Sequence, residues 1–172
     1  MMLKILGCIC ILTGTCAYGY CTGLDYKRHI EQLEYIYRLI WQIKGEISYT
    51  KAPLNEVFKR VSRRAKTPYK NWLETLAEEV EKNQGRPFDE LFRNVTRCSL
   101  KGLLLTKEEQ KELEDLGGQM SYMDIRMQEQ ALTWYAKQLE ERRESLLAGL
   151  VQRQRLANCL GAAAEMCIRD RP

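Results

Sequence analysis

Twenty consecutive residues, Ile5 to Leu24, carry no charge, between Lys4 and a charge-dense remainder that begins at Asp25. Twenty helical residues reach roughly 30 Å, the thickness of a bilayer's hydrocarbon core, so one crossing is the expectation. The run is diluted by Gly7, Gly14, Gly19 and Gly23. A cleaved leader is therefore weighed against a retained anchor: Ala17-Tyr18-Gly19 offers a weak cut, and Ile5-Leu6-Gly7-Cys8 a poor lipobox. Retention is the preferred reading because the uncharged stretch continues past any such cut. Lys27, Arg28, Arg38 and Lys44 beyond the run outnumber Lys4 before it, which places the body on the cytoplasmic side. Gly19-x-x-x-Gly23 could admit a second helix at close range, as a membrane-packing site.

Four of the seven cysteines, Cys8, Cys10, Cys16 and Cys21, fall inside this run, whereas a secreted disulfide framework would pair cysteines in the soluble part. Their spacing fits no zinc site, so no metal is expected. The 27 basic and 23 acidic residues leave a net charge of +4, which does not point to nucleic acid. Only 4 prolines and abundant Glu, Lys, Arg, Leu and Gln argue for an all-α fold with no sheet.

Periodicity then places the helices. Leu33, Ile36, Ile40, Ile43 and Ile47 share one face of a helix from about Asp25 to Tyr49, with Tyr37 and Trp41 widening the stripe. Pro53 opens a short helix through Leu54, Val57, Phe58 and Val61. Thr67-Pro68, as hydroxyl cap and first helical residue, opens one through Trp72, Leu73, Leu76 and Val80, which Gly85 ends. Arg86-Pro87 begins a third, with Asp89 and Glu90 at its positive end and Leu91, Phe92 and Val95 inward. Thr106 and Glu109 read as a capping box for a helix that Gly117-Gly118 stops. Ser121 and Asp124 repeat the cap pattern, and a single long helix follows to about Leu160. Its expected seam is Met120, Met123, Met127, Ala131 and Trp134, and its stretch from Lys137 to Ser145 is expected to stand in solvent. The domain plan is thus a transmembrane helix over 1–24, a helical bundle over 25–158, and over 159–172 an incomplete second transmembrane segment with an atypical charged tail.

The motifs of catalysis are missing. There is one histidine, His29, read as a solvated residue beside the anchor, and no Walker, Gly-x-Gly-x-x-Gly or Gly-x-Ser-x-Gly pattern. The clusters Glu78-Glu79-Glu81 and Glu108 to Asp115 lack the alternating ligands of a calcium loop and read as solvated faces. No enzyme, cofactor or small-molecule substrate is expected. The remaining candidate is a basic surface, Lys59, Arg60, Arg63, Arg64 and Lys66, extended by Lys70. It is either a dock for an acidic partner or anionic lipid, or a solubilising face.

Leu3-Lys4-Ile5-Leu6-Gly7, Glu46-Ile47-Ser48-Tyr49 followed by Ala52-Pro53-Leu54, and Leu116-Gly117 with Asp124 and Gln128 occur in an order and spacing that resembles the stage III sporulation protein AB family of endospore-forming Firmicutes. That resemblance covers nearly the whole length. It implies an all-helical domain similar to the cytoplasmic domains of type II secretion platform proteins, held between two membrane helices. It also implies a place in the channel apparatus between mother cell and forespore, with a secretion-type ATPase and other channel subunits as partners. The chain departs from the pattern in lacking a full second span. The rival expectation is a soluble helical adaptor released after leader cleavage.

Overall fold

The computed structural model describes residues 2–82, 85–121 and 124–169, with side chains placed over 23–82, 85–121 and 124–150. It consists of six helices, and no strand occurs among the described residues. They are α1 (Met2–Thr50), α2 (Leu54–Ser62), α3 (Tyr69–Glu81), α4 (Phe88–Ser99), α5 (Lys107–Met120) and α6 (Ile125–Arg169). Each helix packs on the one before and the one after it, and α6 returns to close against α1.

The first helix carries through Gly23 and Gly45 without a break. It buries the expected stripe of Leu33, Ile36, Ile40, Ile43 and Ile47, with Ile30 and Leu39 added. Trp41 does not widen that stripe: it is 41% exposed, with the Lys44 ammonium 4.6 Å from its ring centroid. The helix ends where Lys51 turns to φ +49° and Thr50 Oγ1 donates to the Glu46 carbonyl. Pro53 then flanks α2, its carbonyl accepting from Glu56 and Val57 N–H. Thr67 gives no cap to α3, which starts one residue later than the sequence implied. Gly85 adopts φ +90° in the turn before α4, a conformation that favours glycine.

Trp72 occupies the centre, 1% exposed, with its indole N–H donating to Thr96 Oγ1 at 3.0 Å and its ring edge-on to Phe92. The Thr106–Glu109 capping box forms as expected, each side chain accepting from the other's backbone N–H.

Gly117 and Gly118 do not stop α5, which runs on to Met120. Gly117 sits where a Cβ would come within 2.6 Å of the Phe92 ring, so the missing side chain lets α4 and α5 approach. Asp124, not Ser121, opens α6, its carboxylate accepting from Arg126 N–H at 3.0 Å. The inward seam of α6 is also rotated from the expected one. Leu132, Tyr135, Ala136 and Leu139 are buried, whereas Met127 and Trp134 are 48% and 55% exposed. Met120 is buried at the end of α5, Ala131 is half-buried, and Met123 lies outside the described residues. Buried Gln128 turns inward and donates to the Met120 carbonyl, satisfying the end of α5.

The stretch from Lys137 to Ser145 is not fully solvated either, because Leu139 is buried and Arg142 reaches α5. Tyr26 meets Leu146 and Gly149 while Ser48 meets Glu129, so α1 and α6 run antiparallel and leave the bundle at the same end. No described helix is long and apolar enough to cross a membrane, and the anchor expected over 5–24 lies almost wholly outside the residues with described side chains. The same holds for the segment at 159–172 and for Gly19; Gly23 is exposed with open space about its Cα.

Candidate functional site

The basic residues picked from the sequence fall into two groups. Lys59 is bound to Glu81, and Arg60 is shared between Glu56 at 3.3 Å and Glu46 at 3.9 Å. Lys70 pairs with Glu74. Their charges are already answered inside the bundle. The Lys59 ammonium also holds the exposed Glu81 carboxyl below its ordinary range, first through their hydrogen bond.

Arg63, Arg64 and Lys66 are placed differently. The second helix ends at Ser62, so Arg63 is its C-cap and Arg64 lies in the turn toward α3, rather than on a helix face. All three are exposed. The Lys66 backbone N–H donates to the Tyr35 hydroxyl at 2.7 Å, which fixes this turn against α1. Beside it lies an open groove of about 360 Å³, lined by Arg28, Arg38, Lys66 and Tyr69, with Glu31 as its one carboxylate. Arg38 stands over the Tyr35 ring, which stacks on Tyr69 at 4.5 Å.

The Tyr69 hydroxyl is buried without a hydrogen-bond partner. Burial, then the neighbouring Tyr35, push its pKa well up, so it remains a neutral donor. Three cations against one carboxylate make this groove suited to a carboxylate or phosphate. Arg28 and Arg38 are absent from the basic run in sequence because α1 supplies them from the other wall. Their i, i+10 spacing on a helix gave no local signal.

Two further charged sites, expected in solvent, are instead held inside the bundle. His29 Nε2 donates to Glu109 Oε2 at 2.8 Å, and Glu109 is 3% exposed. Arg142 approaches the other oxygen of Glu109 at 3.8 Å and donates to Glu112 at 2.9 Å. One carboxylate thus joins α1, α5 and α6. Burial, then the Glu112 and Glu109 charges, raise the pKa of the nearby Tyr135 hydroxyl, which also stays protonated.

Glu114, likewise buried, receives both Arg97 guanidinium hydrogen bonds, at 2.6 and 3.2 Å, and one from Gln110. Arg97 holds its carboxyl below the ordinary range. A depressed folded pKa contributes stability that is present above the unfolded value of about 4.5 and is lost as pH falls through the folded one. With Arg97 largely exposed, solvent screening keeps that contribution small. Acid titration of the unfolding midpoint should show a steeper loss below about pH 4.5 in the parent chain than in Glu114→Gln. Among the described residues no cluster of His, Cys, Asp and Glu could hold a metal ion.

A closed ring of helices, with the two long helices α1 and α6 leaving one end, defines an all-α helical bundle. The chain belongs to the stage III sporulation protein AB family, whose profile matches residues 4–168. A solved structure of a stage III sporulation protein AB is similar in fold, at TM-score 0.64 and 14% identity, covering 73% of this chain and 98% of that one. No curated protein matches by sequence.

Proposed function

We propose that this chain is a membrane-anchored, non-enzymatic structural subunit of the stage III sporulation channel between mother cell and forespore. Its helical bundle faces the mother-cell cytoplasm and holds a secretion-type ATPase beside other channel subunits. The observation that carries this reading is the continuity of α1. One 49-residue helix contains both the uncharged run Ile5–Leu24 and the buried stripe of the bundle. A helix unbroken over this length couples the position of one end mechanically to the other. The family membership supports the sporulation setting.

The contact surface for the ATPase is the groove beside Lys66, together with Arg63 and Arg64, facing an acidic surface of the partner. Lys59 and Arg60 contribute to its field but are held by Glu81, Glu56 and Glu46. The triple reversal Arg63→Glu, Arg64→Glu, Lys66→Glu should lower recruitment of the ATPase to membranes carrying this chain at least tenfold, with the chain itself still retained after carbonate extraction. Unchanged recruitment would remove the dock. Release of the parent chain by carbonate would remove the anchor and favour the soluble adaptor instead.

A further inference from the structure

We infer that the loop between α4 and α5 is a second membrane contact, pressing Leu104 and a ring of basic side chains onto the anionic lipid surface from which α1 emerges. This rests on the anchored reading of α1. The exposed leucines among the described residues are Leu24, Leu104 and Leu147, and they come from three separate elements. All three lie at the end of the bundle where α1 and α6 depart. Leu24 closes the uncharged run, and Leu147 is adjacent to Leu146, whose carbonyl accepts from the Tyr26 hydroxyl. Leu104 borders a shallow, mostly apolar hollow of about 420 Å³, shared with Asp25, Tyr26, His29, Leu103 and Leu105.

The loop is held in this position. Leu104 N–H donates to Gln32 Oε1 at 2.7 Å, Leu103 and Leu105 pack half-buried against the core, and the capping box fixes the chain at Thr106. A leucine so fixed, facing outward at 42% exposure, is not one that has failed to find the core. Its height also suits a bilayer surface. Residues 28–29 of α1 lie about 6–8 Å along the axis from Leu24, while the headgroup layer beyond the hydrocarbon is about 5–7 Å deep. Leu104, tied between the levels of Asp25 and Gln32, therefore meets that layer.

Charge selects lipid as the occupant. Lys27, Lys101 and Lys107 are exposed around this end, and none forms an ion pair with another described residue, whereas Arg28 and Glu31 line the groove beside Lys66. Asp25 and Glu108 are the exposed carboxylates nearest these three lysines in sequence, leaving three cations against two carboxylates. An apolar tip within a cationic rim, continuous with an uncharged helix, matches the boundary between acyl chains and anionic headgroups.

The test uses the full chain in vesicles of phosphatidylcholine and phosphatidylglycerol, with and without brominated acyl chains. Leu104→Trp should gain bromine quenching at least twice that of Tyr49→Trp, a position 91% exposed and about 31 Å farther along α1 than the level of residues 28–29. Adding Lys101→Glu and Lys107→Glu should lower the docked-to-undocked ratio about fivefold or more for each charge. In the unsubstituted chain, amide exchange over residues 101–105 should slow in these vesicles relative to purely phosphatidylcholine ones. A chain retained after carbonate, with an unquenched Leu104→Trp and exchange indifferent to lipid charge, overturns the lipid contact alone and leaves the leucines to a protein partner. A chain released by carbonate overturns the anchored reading, and this surface with it.

Discussion

Glu109→Ala is expected to destabilise the bundle by about 3 kcal/mol, measured by urea unfolding of the chain in detergent micelles. Two donors lose an acceptor and a third group loses a nearby charge. The Thr106 backbone N–H loses its half of the capping box, worth about 1 kcal/mol. His29, 12% exposed, loses its one hydrogen-bond partner among the described residues, and an unsatisfied buried donor costs about 1–3 kcal/mol. Arg142 keeps Glu112 but loses the nearby charge of Glu109. Because the carboxylate ties α1, α5 and α6 together, the loss should also appear as faster amide exchange in the loop before α5. Glu109→Gln retains one acceptor and should cost about half as much. A loss in Glu109→Ala below about 1 kcal/mol would show that the junction is not a stabilising contact.

Gly117→Leu should be comparably damaging, by about 3 kcal/mol, although leucine favours a helix over glycine by close to 1 kcal/mol. A Cβ at 117 lies 2.6 Å from Phe92 Cδ1 and 2.7 Å from its Cβ and Cγ. Phe92 cannot swing aside, being 1% exposed and set against both Trp72 and Phe88. The strain therefore falls on the spacing of α4 and α5. Gly118 is the control, since its added Cβ would sit 3.9 Å from Asp89, an ordinary contact. Gly118→Ala should thus stabilise by about 0.5–1 kcal/mol through helix propensity. Equal effects of alanine at both positions in thermal unfolding would refute the close-approach account of Gly117.

Those two glycines also show how sequence reading errs. Adjacent glycines after a periodic run are the usual mark of a helix end, because glycine lowers helix propensity and suits a left-handed cap. Here the helix continues through both. One of them is required by a ring on a neighbouring helix, a fact no local pattern contains. The seam of α6 failed for a related reason. Met127, Ala131 and Trp134 continue the three and four residue steps from Met120 and share a face, so periodicity alone selects them. The side that packs is Gln128, Leu132, Tyr135, Ala136 and Leu139, because Asp124 caps the helix and Gln128 must reach the end of α5.

The residues that carried the family resemblance turn out to be joints of the fold. Ser48 hydroxyl donates to Glu129, Glu46 receives Arg60, Gly117 admits Phe92, Asp124 starts α6 and Gln128 ends α5. Packing constraints, rather than a reaction, account for their spacing. In the basic surface, sequence identified Lys66, Arg63 and Arg64 correctly as exposed cations. It could not see that Lys59 and Arg60 are answered by Glu81 and Glu46, 22 and 14 positions away. Nor could it see that α1 brings Arg28 and Arg38 to the same groove.

By itself the sequence determined the helical class, the buried stripe of α1, the capping box of α5 and the uncharged run ahead of the bundle. Each of these depends on periods and caps only a few residues long, which neighbouring side chains alone dictate. Tertiary structure decided which face of α6 turns inward, that Gly117 is a contact, that Glu109 and Glu114 are buried with their cations, and which basic residues remain unpaired. Those outcomes depend on what stands opposite after the ring of helices closes, and residues as distant in sequence as Tyr26 and Leu146 become neighbours only then.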